Sequence, residues 1–443
     1  MLSQWREFIN GSPLRQLGHH ALVAAVTSFL ARGVGFAKEI IVASYFGLSA
    51  DLDIYFVAFS LIGFPLAIFI NAIQTVFISE LSADASGKEK RTLCGLTISG
   101  TLTLLIVILP LWLLLIPYFL PILASGFSTE KQQYLQQALY WLVPYYLFNG
   151  LNLIIYGILQ SSREYIKNGL IPTVTPLVIL FYLFIFGTNS GWLVLVQALS
   201  IGTAIESFVL LVLIFDMGLI AIPKISDWKR VLPVFTNAIA LLPATIAGAS
   251  IMIIEQAIAA SMGEGSNASL AYGYRLPFAM QSLVVTAIGI TVLPYFSTHI
   301  SRKEYAYCLH SLNKLFLILG AGGLLISLIF VNFSPEITWL LYQRGNFDSI
   351  AVERVSPIQA IYFAQIPFAL LSMLSIKTLS ALGKNTYVSL IVVLMGVFQC
   401  FLAYYLAQKI GVVGIAWAMT IASFLVSLCS FITAKIILKR NLK

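Results

Sequence analysis

Apolar residues run through this chain in long stretches of about twenty or more, the length that a membrane helix needs. Alternation with a period of two is absent, and clusters of polar residues, Gly and Pro interrupt the stretches. Since backbone groups in lipid must pair with one another, such stretches are predicted to be helices. The predicted spans are approximately 20–46, 53–79, 93–117, 135–160, 168–188, 191–215, 233–261, 269–297, 312–332, 357–382, 386–408 and 411–437.

Composition agrees with this pattern and excludes several classes of function. Hydrophobic residues make up 59% and charged residues 10% of the 443 positions, whereas soluble domains carry roughly 25% charged residues. We therefore predict an all-α polytopic membrane protein. The four cysteines are scattered, and neither a P-loop nor a nucleophile–base pair stands out. We expect no catalytic residue, no metal site and no bound cofactor.

The basic residues indicate orientation in the membrane. With the first segment inside, 19 of the 26 Lys and Arg residues fall on the cytoplasmic side and 4 on the opposite side. This bias predicts twelve helices with both termini cytoplasmic. It also explains the pI of about 9.2 without nucleic acid as a partner. Residues 1–20 are polar and contain no signal-peptide pattern, so the first helix is expected to be retained.

An internal repeat predicts two halves. The segment "VASYFGLSADLDIYFVAF" at Val42 is answered by "AASMGEGSNASLAYGYRL" at Ala259, and two further pairs of segments share nearly the same offset. Six helices per half keep both halves in the same orientation, which is a transporter plan. We predict an N-lobe at 1–217, a cytoplasmic linker at 218–231 and a C-lobe at 232–443, arranged around a central cavity.

Charged residues inside the predicted spans are the candidate functional residues, because charge within a bilayer is costly. They are Arg32, Lys38, Glu39, Glu206, Glu255 and Arg275. Adjacent residues point about 100° apart on a helix, so Lys38 and Glu39 are not expected to pair with each other. Their partners should come from other helices or from water in a cavity. Glu206 has no clear assignment from the sequence.

The repeat places charge at equivalent depths in the two halves. At an offset of 217, Lys38 and Glu39 correspond to Glu255 and Gln256, which would let both sets line one cavity. Asp53 starts the second span, and Arg275 lies one turn into the eighth; both are expected near the outer mouth. The alternative is that these charges lie at helix ends and reach the surface, with Asp53 capping its own helix.

At these residues the chain resembles the MurJ/MviN-type lipid II flippases of the multidrug/oligosaccharidyl-lipid/polysaccharide exporter superfamily. The resemblance lies in "FLARGVGFAKEIIVASYFGLSADLDIYFVAF", in "EQAIAASMGEGSNASLAYGYRLPF" and in "LLYQRGNFD", and it extends over nearly the whole chain. It implies that Arg32, Lys38, Arg275 and Asp53 are substrate-binding cavity residues. Glu39 and Glu255 are then the candidate coupling or gating carboxylates.

The chain also departs from that family. Leu66 and Ala67 stand where the family usually has two arginines, and Asn71 and Phe278 stand at positions that are usually acidic. Twelve predicted helices replace the usual fourteen. The resemblance therefore leaves two substrates open: lipid II and a related undecaprenyl-linked glycan.

The resulting expectation is a bacterial inner-membrane flippase for an undecaprenyl-pyrophosphate-linked saccharide, working as a monomer among membrane lipids. Arginine and lysine would hold the pyrophosphate, and the membrane potential or a Na⁺ or H⁺ gradient would drive alternating access. Two alternatives remain at this stage. A multidrug or cation antiporter would share the fold, although three intramembrane cations disfavour it. A scaffold in a glycan assembly complex would need no transport cavity.

Overall fold

The structure, a computed structural model, describes residues 13–82, 87–162, 164–187, 191–221 and 225–442. Within these residues the regular structure is helical, as predicted, and no strand is formed. The helices of the first part are α1 (Pro13–Phe46), α2 (Ala50–Pro65), a π-helical turn (Leu66–Ile70), α3 (Asn71–Ser82), α4 (Gly87–Leu123), α5 (Thr129–Trp141), α6 (Val143–Ser161), α7 (Tyr165–Leu170), a 3₁₀ turn (Ile171–Thr173), α8 (Val174–Phe186) and α9 (Trp192–Asp216).

The second part continues with helices of similar length. They are a 3₁₀ turn (Ile225–Arg230), α10 (Leu232–Ile239), α11 (Leu242–Ala260), α12 (Ser266–Ser301), α13 (Tyr305–Asn332), α14 (Ser334–Tyr342), α15 (Ser349–Ala381), α16 (Asn385–Ile410) and α17 (Val412–Arg440).

Each of the twelve predicted spans coincides with a helix or with a run of consecutive helices. Nine helical segments of the described chain are long and apolar enough to cross a membrane. A tenth forms if α5 and α6, which meet at a 47° bend, count as one span. The first and eighth predicted spans, α1 and α12, are long helices outside that set. We conclude that the chain is a multi-pass membrane protein.

Packing divides the chain into two compact units. Unit 1 comprises the described residues of Met1–Val42, Ala58–Pro117 and Tyr134–Thr245. Unit 2 comprises those of Ala43–Val57, Tyr118–Gln133 and Ile246–Lys443. The lobe boundaries predicted from the repeat, with a linker at 218–231, stay a prediction.

In unit 1 the second predicted span is interrupted at a proline. Pro65 has no N–H, so it leaves the carbonyl of Leu61 without its helical donor. The indole Nε1 of Trp112 on α4 donates to that carbonyl at 3.0 Å. The π-helical turn Leu66–Ile70 follows immediately, and such turns commonly absorb an irregularity within a helix. The helix therefore continues as α3 after a local change of winding.

In unit 2 the central element is α15, which packs against α12, α13, α14 and α17. Its start is fixed by Asp348, whose side chain accepts a hydrogen bond from the backbone N–H of Ala351 at 2.8 Å. A Cβ atom at Gly323 of α13 would lie 2.8 Å from the Cα of Pro367 on α15. The absence of a side chain there lets the two backbones approach closely, as small residues do between membrane helices.

Also within unit 2, the loop after α14 is hydrogen-bonded to the C-terminal end of α1. The backbone N–H of Asn346 donates to the carbonyl of Ser44 at 2.8 Å, and its side-chain amide donates to the carbonyl of Tyr45 at 2.6 Å. Gly47 and Gly345 adopt φ values of +55° and +57°, which other residues rarely tolerate. The segment "LLYQRGNFD" thus has a structural function in holding this end of unit 2 together.

Candidate functional site

The first group of predicted site residues lies on α1. The Arg32 side chain is exposed, whereas the side chains of Lys38 and Glu39 retain only 12% and 7% of their exposure. The ammonium of Lys38 contacts the carboxylate of Glu39 directly. The expectation that these neighbours do not pair was therefore wrong. The lysine side chain has four flexible methylenes, which let its charge reach back across the 100° that separates adjacent residues.

Asp53 lies in α2 and is 2% exposed. One carboxylate oxygen accepts the backbone N–H of Gly265 at 2.6 Å, and the other accepts that of Ala268 at 2.8 Å. These donors belong to the N-cap residue and to the first turn of α12, whose N–H groups have no partner within the helix. Asp53 therefore caps a helix more than two hundred residues away, and its own helix has Ser49 near its start instead. The alternative that Asp53 caps its own helix is wrong, and its role in substrate binding stays a prediction.

A polar cluster that the sequence did not reveal surrounds the α11–α12 loop in unit 2. Glu264 accepts from the ammonium of Lys131 at 2.8 Å and from the backbone N–H of Ala50 at 3.2 Å. Arg354 on α15 donates to the carbonyl of Glu264 at 3.0 Å. The hydrogen bond from Lys131 lowers the pKa of the Glu264 carboxyl below its ordinary value of 4.5. The pattern of spans could not reveal this cluster, because its residues belong to segments that are far apart along the sequence.

Arg275 lies on α12, nine residues after its start at Ser266. That position is about 13 Å into the helix at 1.5 Å per residue. The guanidinium is partly buried and lies 5.5 Å from the ring centroid of Phe56, a distance at which cation and ring attract each other. Phe56 in turn packs edge-on against Tyr272 at 6.0 Å. The aromatic rings hold the cation in a defined place within unit 2.

Glu255 lies on α11 and is 9% exposed. Its carboxylate accepts a hydrogen bond from the side-chain amide of Gln399 on α16 at 2.6 Å. Close packing of the two helices brings these groups together, because a Cβ atom at Gly396 would lie 2.7 Å from Ile251. A buried carboxylate whose described hydrogen-bond partner is neutral is suited to exchanging a small cation. The coupling role predicted for it stays a prediction.

Another buried carboxylate, Glu206 on α9, is hydrogen-bonded within unit 1 to side chains of α6 and α8. Tyr156 and Thr175 donate their hydroxyls to it, each at 2.5 Å. The sequence singled out Glu206 but gave it no assignment. The signal that was missed is the presence of isolated polar residues at interior positions of the neighbouring apolar segments.

The positions that depart from the resembled family have their own packing. Leu66 is 3% exposed and packs beside Gly150 of α6. The side-chain amide of Asn71 donates to the carbonyl of Ala67 at 3.2 Å. Phe278 is 48% exposed and lies 5.0 Å from the ring of Tyr274. Unit 1 therefore has an apolar contact where the resemblance anticipates an arginine.

The structure places the predicted residues in two sets. Arg32, Lys38 and Glu39 belong to unit 1, while Asp53, Glu255 and Arg275 belong to unit 2. A cavity shared by both sets stays a prediction. Among the described residues, no group of three or more His, Cys, Asp or Glu side chains is arranged to hold a metal ion.

Comparison with known proteins identifies relatives over almost the whole chain. A family described as lipid II flippase MurJ matches residues 42–442. A probable lipid II flippase MurJ from Synechocystis sp. is 24% identical, and the alignment covers 96% of this chain and 82% of that protein.

Solved structures agree on the architecture. A lipid II flippase MurJ in an inward closed conformation superposes with a TM-score of 0.74 at 19% identity, covering 95% of this chain and 91% of that one. A multidrug resistance MATE family transporter of the MOP superfamily, in an inward-facing conformation, gives a TM-score of 0.76 at 12% identity. The coverage there is 94% of this chain and 99% of the transporter. At such identities these two likenesses establish the fold alone.

Proposed function

Because the chain belongs to the lipid II flippase MurJ family, we propose that it moves a polyprenyl-pyrophosphate-linked saccharide from the inner to the outer leaflet of the bacterial cytoplasmic membrane. The substrate is lipid II or a closely related lipid-linked glycan, and the mechanism is alternating access. The observation that carries the proposal is the family match, which spans residues 42–442 and so includes every helix from α2 to α17.

The chemistry of the headgroup suits the cations of α1 and α12. A pyrophosphate is a compact anion, and guanidinium groups bind phosphate oxygens through two parallel N–H donors. Arg32 presents an exposed guanidinium on α1, and Lys38 lies six residues further along the same helix. Arg275 supplies a third cation from α12. A hydrogen bond to a charged group contributes about 1.5–3 kcal/mol, so each contact changes affinity by roughly one to two orders of magnitude.

Lys38 and Glu39 have a further role in this proposal. In the structure Glu39 neutralises Lys38, which reduces the cost of keeping a lysine within a membrane helix. An incoming pyrophosphate competes with Glu39 for the ammonium. When the headgroup leaves, Glu39 takes the ammonium back, so the helix is never left with an unpaired buried cation.

Energy for transport comes from the membrane potential or from a Na⁺ or H⁺ gradient. One elementary charge moved across 100 mV is worth about 2.3 kcal/mol. Glu39 and Glu255 are the carboxylates that we assign to coupling or gating, and Gln399 is the neutral neighbour of Glu255. In this account the protein acts as a monomer with both termini in the cytoplasm. It binds membrane lipids and its lipid-linked substrate, binds no nucleic acid or metal cofactor and catalyses no reaction.

The test is rescue of bacterial cells depleted of their own lipid II flippase. The wild-type chain is compared with Arg32→Ala, Lys38→Ala and the charge-preserving Lys38→Arg, all at matched membrane abundance. Lys409→Ala is the matched control, since Lys409 is an exposed lysine in the last turn of α16. We expect rescue by wild type, Lys38→Arg and Lys409→Ala, and loss of rescue by Arg32→Ala and Lys38→Ala.

The other outcomes have separate meanings. Failure of an abundant wild-type protein to rescue would exclude lipid II and leave a related lipid-linked glycan as substrate, with the apolar pair Leu66 and Ala67 as the first explanation. Full rescue by both alanine variants would contradict the cationic binding site and favour a scaffold. Export of organic cations, instead of rescue, would favour an antiporter.

A further inference from the structure

A buried polar network in unit 1 lies outside the residues assigned to substrate binding or coupling. Its centre is Glu206, which is 6% exposed on α9. Glu206 lies fourteen residues from Trp192 and ten from Asp216, the two ends of the helix. These separations are about 21 Å and 15 Å, so the carboxyl lies in the middle part of a predicted membrane span.

The contacts of Glu206 join three helices. One carboxyl oxygen accepts the Tyr156 hydroxyl of α6 at 2.5 Å, with the amide of Asn152 at 3.5 Å. The other accepts the Thr175 hydroxyl of α8 at 2.5 Å, with the Thr175 backbone N–H at 3.4 Å. O–H···O distances near 2.5 Å are typical of hydrogen bonds that an ionised carboxylate accepts. The network is therefore arranged for the charged form of Glu206.

A second layer of hydrogen bonds holds the first in place. Ser207, next to Glu206 and 1% exposed, donates to the Asn152 side-chain oxygen at 2.5 Å and lies 3.1 Å from the Phe148 carbonyl. Asn152 is also 1% exposed. The amide is thus oriented with its oxygen towards Ser207 and its nitrogen towards Glu206. These hydrogen bonds fix the orientation of the side chains around Glu206.

The donors described around Glu206 are all neutral. Tyr156 from α6 is the titratable group in contact with it, and the described contacts from α8 come from Thr175 alone. Two charged groups lie elsewhere on these elements: Lys167 on α7 and Asp216 at the end of α9. Lys167 contacts the carboxylate of Glu164 at 3.2 Å and the sulfur of Met217 at 3.3 Å, and Met217 lies eleven residues after Glu206. A carboxylate stabilised only by neutral donors in apolar surroundings readily takes up a cation from solution.

We propose that Glu206 is a proton-binding site within unit 1, distinct from Glu39 and Glu255. Uptake of one proton from water converts the carboxylate into a carboxyl, and the new O–H donates to one of the two hydroxyl oxygens. The hydroxyl that accepts this bond can no longer donate to Glu206. The hydrogen bond between α9 and α6, or the one between α9 and α8, therefore reverses its direction. Proton loading at Glu206 thereby alters how three helices of this unit are joined. Its use in driving transport rests on the proposed flippase function.

The first test measures the proton directly and requires no transport. Infrared difference spectra of the purified protein are recorded from about pH 5 to about pH 9, a range that includes buried carboxyls. We expect a carbonyl band of a protonated carboxyl that grows as pH falls and is absent in Glu206→Gln. Asp216→Asn, which changes an exposed carboxyl at the end of the same helix, should leave the band in place.

A second variant keeps the test decisive if Glu206→Gln does not fold. Tyr156→Phe removes one donor that favours the ionised form, so the band should persist to higher pH. A spectrum that does not change with pH in wild type would overturn the proton site. A band that responds to Na⁺ and not to pH would also overturn it and would indicate a sodium site.

The second test concerns transport and distinguishes this proposal from the proposed function. Proteoliposomes with an imposed pH gradient and a clamped membrane potential are assayed for transfer of a lipid-linked saccharide. We expect Glu206→Gln to transfer the saccharide. The pH gradient should accelerate that transfer at least about tenfold less than in wild type, a change worth about 1.4 kcal/mol. Equal acceleration in wild type and Glu206→Gln would exclude a coupling role. Absence of transfer in every variant would contradict the flippase function and leave the infrared result standing.

Discussion

At the scale of single residues, Asp53 shows how a buried carboxyl group can be held by backbone donors of a distant helix. Its two oxygens accept the N–H groups of Gly265 and Ala268, and the positive end of the α12 dipole adds to this attraction. The residue type and its place at the start of a span could be read from the sequence. The partner could not, because α12 begins more than two hundred residues later and no local spacing relates the two segments.

The cap makes a stability prediction. Asp53→Ala leaves the N–H groups of Gly265 and Ala268 at the start of α12 without this acceptor, and loss of a helix cap costs about 0.5–2 kcal/mol. Asp53→Asn keeps one acceptor oxygen and should cost less. The measurement is the thermal unfolding midpoint of the detergent-purified protein, with Asp51→Asn in the same helical turn as control. An unchanged midpoint in Asp53→Ala would contradict the capping role.

The pair between Glu264 and Lys131 makes a pH prediction. Because Lys131 lowers the pKa of Glu264 below 4.5, the pair stabilises the folded protein above the unfolded-state pKa. That contribution is lost as pH falls through the lowered folded-state value. Glu264→Gln should therefore lower the thermal midpoint at neutral pH, and its difference from wild type should shrink in acid.

The control for this pair is Glu353→Gln, which removes an exposed carboxyl from the second turn of α15. Its difference from wild type should not follow the same acid-dependent course. The pair is partly exposed, so we expect a small effect that diminishes with salt. A difference for Glu264→Gln that is constant from neutral to acidic pH would contradict the assignment.

At the scale of elements, the break at Pro65 shows what periodicity conceals. A run of apolar residues from 53 to 79 predicts one continuous span. The structure adds the compensation: Trp112 satisfies the Leu61 carbonyl, and the π-helical turn absorbs the change in winding. The aromatic donor belongs to another helix, so the sequence of the second span alone could not show it.

This compensation can be measured by a double-mutant cycle. Trp112→Phe removes the indole donor and should cost about 1 kcal/mol. In a Pro65→Ala background the backbone N–H of residue 65 can serve the Leu61 carbonyl, so the same Trp112→Phe change should cost less. Trp417→Phe, at a half-exposed tryptophan of α17, serves as control. Equal costs in both backgrounds would show that Trp112 contributes packing alone.

At the scale of the whole molecule, hydropathy predicted a helix or a run of helices at each of the twelve positions, because lipid requires backbone groups to pair within their own segment. It failed for details that depend on partners in space. The bend between α5 and α6, the separate short helix α14 and the contact between Lys38 and Glu39 are such details. The substrate site was predicted from charged residues within apolar spans, where charge is costly. The structure places each of these residues in one of the two units, and their roles stay predictions.

The network around Glu206 marks the limit of that approach most clearly. Its donors, Tyr156 and Thr175, are ordinary residues of apolar segments, and only the packing of α6 and α8 against α9 gives them a function. The donors of Glu206 come from two other helices, so no single segment of the sequence contains the pattern. The sequence offers the residues, whereas their convergence comes from the tertiary fold.

The most direct test of the account is transfer of a lipid-linked saccharide by the purified protein in proteoliposomes. The fraction of headgroup reaching the opposite leaflet is measured with a membrane-impermeant enzyme that modifies the sugar. We predict transfer by wild type and Lys38→Arg, and a loss of at least about tenfold in Lys38→Ala, as expected for one charge-assisted phosphate contact. A folded wild-type protein that transfers headgroups no faster than empty liposomes would contradict the account.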